Sequence, residues 1–215
     1  MKRAVAVAMA LAALGAALGA CSARPIELPA EPLTRATTCT AVRTLELRDG
    51  KSAAGAVSFA GFTEILHFGM LVAARDGLEV NVNRLVTVSH RAPAMMEELE
   101  GENWRSLVEP CNAAFPETQR PAPPLPDDAY EAGMTCFGLA DFLAKTAGDY
   151  PAEQRRFTGL ADRALAAARP VLRQRAADND EAGRLAGGYT ARAFQAGTPA
   201  SLIEQCERRF AEGEG

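Results

Sequence analysis

Two histidines, His67 and His90, are all the imidazole in this 215-residue chain, and neither lies in a metal-ligand or nucleophile spacing. There is no CxxC, no HExxH and no glycine-rich phosphate loop, which removes the commonest redox, zinc-hydrolase and nucleotide motifs. Positive charge is also short. The chain has 23 Lys and Arg against 27 Asp and Glu, which argues against bulk binding to nucleic acid or anionic lipid. Ser58 lies between Gly55 and Gly61, whereas a nucleophile elbow needs a glycine two residues to each side. Asp178 to Gly183 begins like a calcium loop, but Ala182 and Tyr189 stand where the fifth and twelfth ligands belong. That segment reads instead as a polar turn ending a helix. No catalytic residue, metal ligand or cofactor is expected.

What the sequence does have begins at its first residues. Lys2 and Arg3 precede an uncharged stretch, Ala4 to Ala20, built mainly of Ala, Leu, Val and Gly. It ends in Leu18-Gly19-Ala20-Cys21, which resembles the lipobox of bacterial lipoprotein precursors. The resemblance implies that the Cys21 thiol is diacylglycerylated (palmitate among the expected acyl chains), that residues 1–20 are removed, and that the new amino group is acylated. Two acyl chains hold a protein stably where one is marginal. Ser22 stands where an inner-membrane retention Asp would be, so the resemblance implies the outer membrane, facing the periplasm. Cleavage after Ala23, or retention of the apolar run as a weak membrane anchor, are the competing readings. No later apolar run approaches spanning length.

Without residues 1–20, the chain has 195 residues, with 21 basic and 27 acidic side chains. Its odd count of five cysteines needs explaining in an exported protein, and Cys21 explains it. Cys39, Cys111, Cys136 and Cys206 remain, in two pairs 72 and 70 residues apart. Their surroundings match: Ser106 to Glu117 aligns without gaps on Ser201 to Glu212, with six of twelve positions identical. Thr38-Cys39 answers Thr135-Cys136. An internal duplication is therefore expected, 34–115 and 129–215, joined by a proline-rich linker over 116–128. A second proline-rich stretch, 21–33, reads as a tether. Repeat symmetry favours Cys39–Cys111 and Cys136–Cys206, each closing one copy, over the swapped pairing Cys39–Cys206 with Cys111–Cys136, or over free thiols. Loops of this length restrict the unfolded chain by about 4 kcal/mol each in the chain-entropy model.

Apolar residues recur mostly at helical spacing. Phe59, Phe62, Leu66, Met70 and Ala73 share one helical face, and so do Cys136, Leu139, Ala140 and Leu143. The longest pattern runs from about Ala152 to Ala177. It has Phe157, Leu160, Ala161, Ala164, Leu165, Ala168, Val171 and Leu172 on one side, with a bend expected at Pro170. Its other side carries Arg155, Arg156, Arg163, Arg169 and Arg173, a possible interaction ridge for an acidic partner, or a solvated face. The run Glu97 to Glu102 has the same two readings, and Trp104 reads as core packing or a local cap. Pro110 is expected to kink or end a helix before Cys111. Leu78, Val80 and Val82 alternate as in a strand, yet Asn81 or Asn83 could cap a helix there. The whole predicts an all-α body of about eight helices, four per copy.

Thr135-Cys136, Asp141-Phe142-Leu143 and a late cysteine are similar in style to small helical periplasmic proteins of the acid-chaperone and secretion-immunity kind. Those proteins also pin first and last helices with a disulfide, though the cysteine spacing here is longer, and no functional residue is carried over. The expected role is a non-catalytic binding or scaffolding lipoprotein of the cell envelope, held to a membrane by its lipid, with an unknown envelope protein as partner and no nucleic acid. An immunity-type inhibitor or a holdase-like chaperone is the alternative.

Overall fold

The computed structural model describes residues 26–49, 56–77 and 79–211. Cys21, the leader over 1–20 and Leu78 lie outside the described residues. Among those described, eight α-helices and two short 3-10 turns form the body. Four helices precede the proline-rich segment: α1 (Pro32–Leu47), α2 (Phe59–Ala73), α3 (Val82–Leu99) and α4 (Val108–Ala114). Four follow it: α5 (Ala129–Thr146), α6 (Pro151–Arg175), α7 (Asn179–Gln195) and α8 (Pro199–Arg209). The expected all-α class is observed.

The starts of the helices are written in cap residues. Ser58, Asn81, Asp128 and Asp178 each accept the backbone N–H three residues on, satisfying one of the N–H groups that a first turn leaves without a partner. Asn81 thereby decides the ambiguous segment: α3 begins at Val82, and the strand reading fails. Val82 itself is 59% exposed, while Val80 is partly buried against the shared cluster. Asp178 likewise opens α7 rather than ending α6, and Glu181 reaches back to the Ala177 N–H at 2.8 Å. Pro110 was expected to break a helix; it sits instead in the first turn of α4, where its missing N–H is not needed. The chain ahead of it forms a 3-10 turn, Trp104–Leu107.

Both expected disulfides are present, Cys39–Cys111 and Cys136–Cys206. Each joins the first helix of its half to the last. The buried side chains fall into three clusters. One belongs to the first half and gathers Leu45, Phe68, Val72, Trp104 and Leu107 around Cys39–Cys111. A larger one surrounds Cys136–Cys206 but takes Met70, Ala73 and Leu85 from the first half. The third is small, with Tyr130, Met134 and Ala168. The halves are thus closed separately by sulfur but share a core.

Helix α2 makes the connection. A single apolar face was expected, yet nine of its residues, from Gly61 to Ala73, are buried, and in the last two turns they point in every direction. A helix apolar all round belongs between layers rather than on a surface. Phe68 and Val72 enter the first cluster while Met70 and Ala73 enter the shared one. The proline-rich linker is also bound to the second half. Ser201 Oγ accepts the Ala122 N–H at 2.6 Å, Gln205 Oε1 accepts the Leu125 N–H at 3.0 Å, and Arg120 O accepts the Thr198 N–H at 2.9 Å. Gly197 (φ 141°) lets the strap pass, since a Cβ there would lie 2.7 Å from Ala122 N. The end of the proposed tether is not a loose spacer either: α1 begins at Pro32, and Ile26 and Leu28 pack on the first cluster.

Candidate functional site

The first half does not close fully. Between α1, α2, α3 and the α5–α6 turn lies a cleft of about 360 Å³. Phe62, Ile65 and Leu66 come from α2, and Leu85, Val88, Ala92 and Met96 from α3. Thr146, Asp149 and Tyr150 bring the second half to its edge. Tyr150 is fixed there: its hydroxyl donates to Val57 O at 2.8 Å, and its ring lies 5.2 Å from Phe59 and 5.7 Å from Phe62. Gly69 allows α2 and α3 to approach, because a Cβ there would come within 2.8 Å of Leu85 Cδ1.

The α1 wall is made of threonine. A helical Thr commonly donates its hydroxyl to the carbonyl four residues back. Thr37 does so to Leu33 O at 2.9 Å, Thr38 to Thr34 O at 2.9 Å, and Thr44 to Thr40 O at 2.7 Å. Thr40 does not. It is 4% exposed, lines the cleft, and its hydroxyl has no hydrogen-bond partner among the described residues. Arg48 and Asp149 line the same cleft with one charge of each sign. Ser89 adds an exposed hydroxyl to the same wall, and an apolar pocket with a few polar groups can bind and orient a ligand.

A larger hollow of about 630 Å³ lies where the linker and α7 meet the start of α1, lined by Arg35, Arg75, Arg120, Glu117 and Gln195 among others. Arg35 spends its guanidinium on Pro29 O and Ala30 O, both at 2.8 Å. Arg120 is shared between Glu117 and Gln195 O, each at 3.5 Å.

Residues singled out in the sequence are dispersed. The arginine ridge is interrupted: Arg156 bonds Glu207 at 2.6 Å and Glu153 at 2.8 Å, and the hydrogen bond to Glu207 is the main cause of its raised pKa. Arg163 donates to Phe210 O at 2.8 Å. Arg155, Arg169 and Arg173 are exposed, with the acidic Asp162 exposed on the same helix. His67 is 1% exposed, and its Nε2 donates to Phe194 O at 3.0 Å, joining α2 to the end of α7. Burial lowers its pKa, so it stays neutral. His90 is exposed. Trp104 is core, 5% exposed, with Arg105 stacked 4.5 Å from its ring. Glu97, Glu98, Glu100 and Glu102 face solvent while Leu99 is buried. Among the described residues no group of three His, Cys, Asp or Glu could hold a metal, and no helix is long and apolar enough to cross a membrane.

The cleft was missed in the sequence. Its only visible trace there is the threonine run Thr34, Thr37, Thr38, Thr40 and Thr44 on a helix that is otherwise core. No family model, no curated protein and no solved structure matches the chain.

Proposed function

We propose that this protein is a membrane-tethered binding lipoprotein of the cell envelope, anchored by lipid on Cys21, facing the periplasm, and non-catalytic. Its ligand occupies the cleft between α1, α2 and α3. The observation that carries this reading is the cleft itself: an apolar hollow of ligand size at the junction of the halves, bordered by an aromatic group that both halves contribute. The anchor rests on the Leu18-Gly19-Ala20-Cys21 motif and on the pairing of the other four cysteines, which leaves Cys21 for lipid. A duplicated ancestry for the halves is supported by the aligned cysteine blocks and by four helices on each side of the linker. Large exposed apolar side chains among the described residues are Leu47, Val82 and Val86. A holdase would need a broader apolar surface than these provide.

Cell fractionation tests the anchor. The Cys21→Ala variant is expected in the soluble fraction, and unchanged membrane retention would refute lipidation. Affinity capture of the intact lipidated protein from its own envelope tests the binding role. Co-purification of one specific ligand or partner is expected, and recovery of none overturns it.

A further inference from the structure

We propose that the hollow where the linker and α7 meet the start of α1 binds an organic phosphate monoester. Arg35, Arg75 and Arg120 hold the phosphate, and the organic body rests on Leu71 and Phe115. The hollow shares no lining residue with the cleft between α1, α2 and α3, so neither site depends on the other. Charge, available donors and size each point to that ligand class.

The lining is positive in a chain that is acidic overall: three guanidiniums stand against one carboxylate, Glu117. A concave wall of one sign concentrates counter-ions. Arg75 makes no hydrogen bond or ion pair among the described residues. Its neighbour Asp76 is paired with Arg84 at 2.9 Å. The Ala74 carbonyl at the end of α2 already accepts from the Gly77 N–H at 2.8 Å and from Gln195 Nε2 at 2.5 Å. Gln195 also brings Arg120 to this place, its carbonyl lying 3.5 Å from Arg120 Nη2. That contact and the 3.5 Å one to Glu117 are long, so the Arg120 guanidinium can turn to a better acceptor. Arg35 is oriented by Pro29 O and Ala30 O through Nε and Nη2, which leaves its Nη1 hydrogens for a ligand. Guanidinium forks match pairs of phosphate oxygens. A phosphate monoester carries about −1.5 to −2 charge at pH 7, which balances what three guanidiniums keep after one carboxylate. The volume of about 630 Å³ is that of a small-molecule pocket, more than a bare ion fills. Buried Leu71 and Val72, with half-buried Phe115, give the remainder an apolar floor.

Calorimetric titration of the full chain at low salt tests this with phenyl phosphate, and with phenol as the probe that has the ring but no phosphate. Helical circular dichroism and intact disulfides establish folding for every variant. Phenyl phosphate is expected to bind wild type more tightly than phenol does. Arg75→Gln weakens it roughly tenfold, in line with the loss of a hydrogen bond between charged groups. Arg75→Lys keeps part of the affinity, since it retains the charge without the fork. Glu117→Gln tightens binding by removing the competing carboxylate. Arg155→Gln takes the same charge from α6, which lines no part of the hollow, and leaves the affinity unchanged. No binding of phenyl phosphate to wild type, or equal losses in Arg75→Gln and Arg155→Gln, overturns the site. Flotation with phosphatidylcholine vesicles, with and without phosphatidic acid, separates two sources of the same group. Extra retention on phosphatidic acid that phenyl phosphate competes away supports the site with a lipid headgroup as ligand. Binding of phenyl phosphate with no extra retention supports it with a soluble phosphate ester.

Discussion

The two halves have the same helix count and the same disulfide from first helix to last, yet their first helices meet their neighbours differently. In the second half, α5 approaches its neighbours through glycine. A Cβ on Gly133 would lie 2.7 Å from Ala164 O of α6, and one on Gly138 would clash with Thr190 of α7. In the first half, α1 has Ala36 and Ala41 at the positions of Gly133 and Gly138 when Cys39 is set on Cys136, and α1 rests on α3 with the cleft beside them. Backbone-to-backbone packing leaves no room for a ligand, whereas side-chain walls around a gap do. A disulfide at the same place in each half therefore fixes the closure of a unit, not the density of its interior.

The comparison can be broken most severely through the sulfur links. Replacing Cys136 and Cys206 together by Ala is expected to cost about 4 kcal/mol and to lower both halves in one cooperative transition, since Met70, Ala73 and Leu85 sit in the same cluster. Urea unfolding followed by circular dichroism, together with Trp104 fluorescence in the first half, checks this. Non-coincident transitions would mean that the halves are independent units.

A sharper test contrasts two glycines. Gly133→Ala meets a backbone carbonyl that cannot swing aside, and a net loss of about 2 kcal/mol is expected from overpacking. Gly69→Ala meets only the tip of Leu85, which can turn into the cleft, so the loss should stay below about 1 kcal/mol after the gain in helix propensity. Equal thermal destabilisation by the two would erase the distinction between the backbone contact at α5 and the side-chain contact at α2.

The smallest expected effect is pH-dependent. His67 bridges the halves with its pKa held below the ordinary 6.5 by burial, so the unfolded chain takes up a proton that the folded chain refuses. Stability is therefore full above about pH 6.5 and falls as pH drops below it, by at most about 1.4 kcal/mol per pH unit for one group. His67→Gln should flatten that part of the profile in denaturant midpoints measured from pH 7 to 5. An unchanged slope would show that other groups carry it.

The frame was legible from spacing. Cysteine separations and the matched blocks around them implied the pairing, and the long run from Phe157 to Ala168 announced α6, because both signals are periodic along the chain. The interior of the first half was not legible. Its cleft depends on how α3 lies against α2, which leaves no period along the chain. Helix α2 was half-read for a related reason: a helix buried between two cores has no polar face to set its apolar face apart. The strap over α8 was read as a spacer because proline content reports stiffness and says nothing about what the segment docks on.

The central claim is that the cleft between α1, α2 and α3 holds an apolar ligand, and native mass spectrometry of the protein isolated from its own membrane tests it most directly. The account predicts a non-covalent adduct on wild type that is released on denaturation, extracts as an apolar molecule, and is missing from Ala92→Phe, which fills the cleft. Identical native and denatured masses for wild type, or the same adduct on Ala92→Phe, would contradict it.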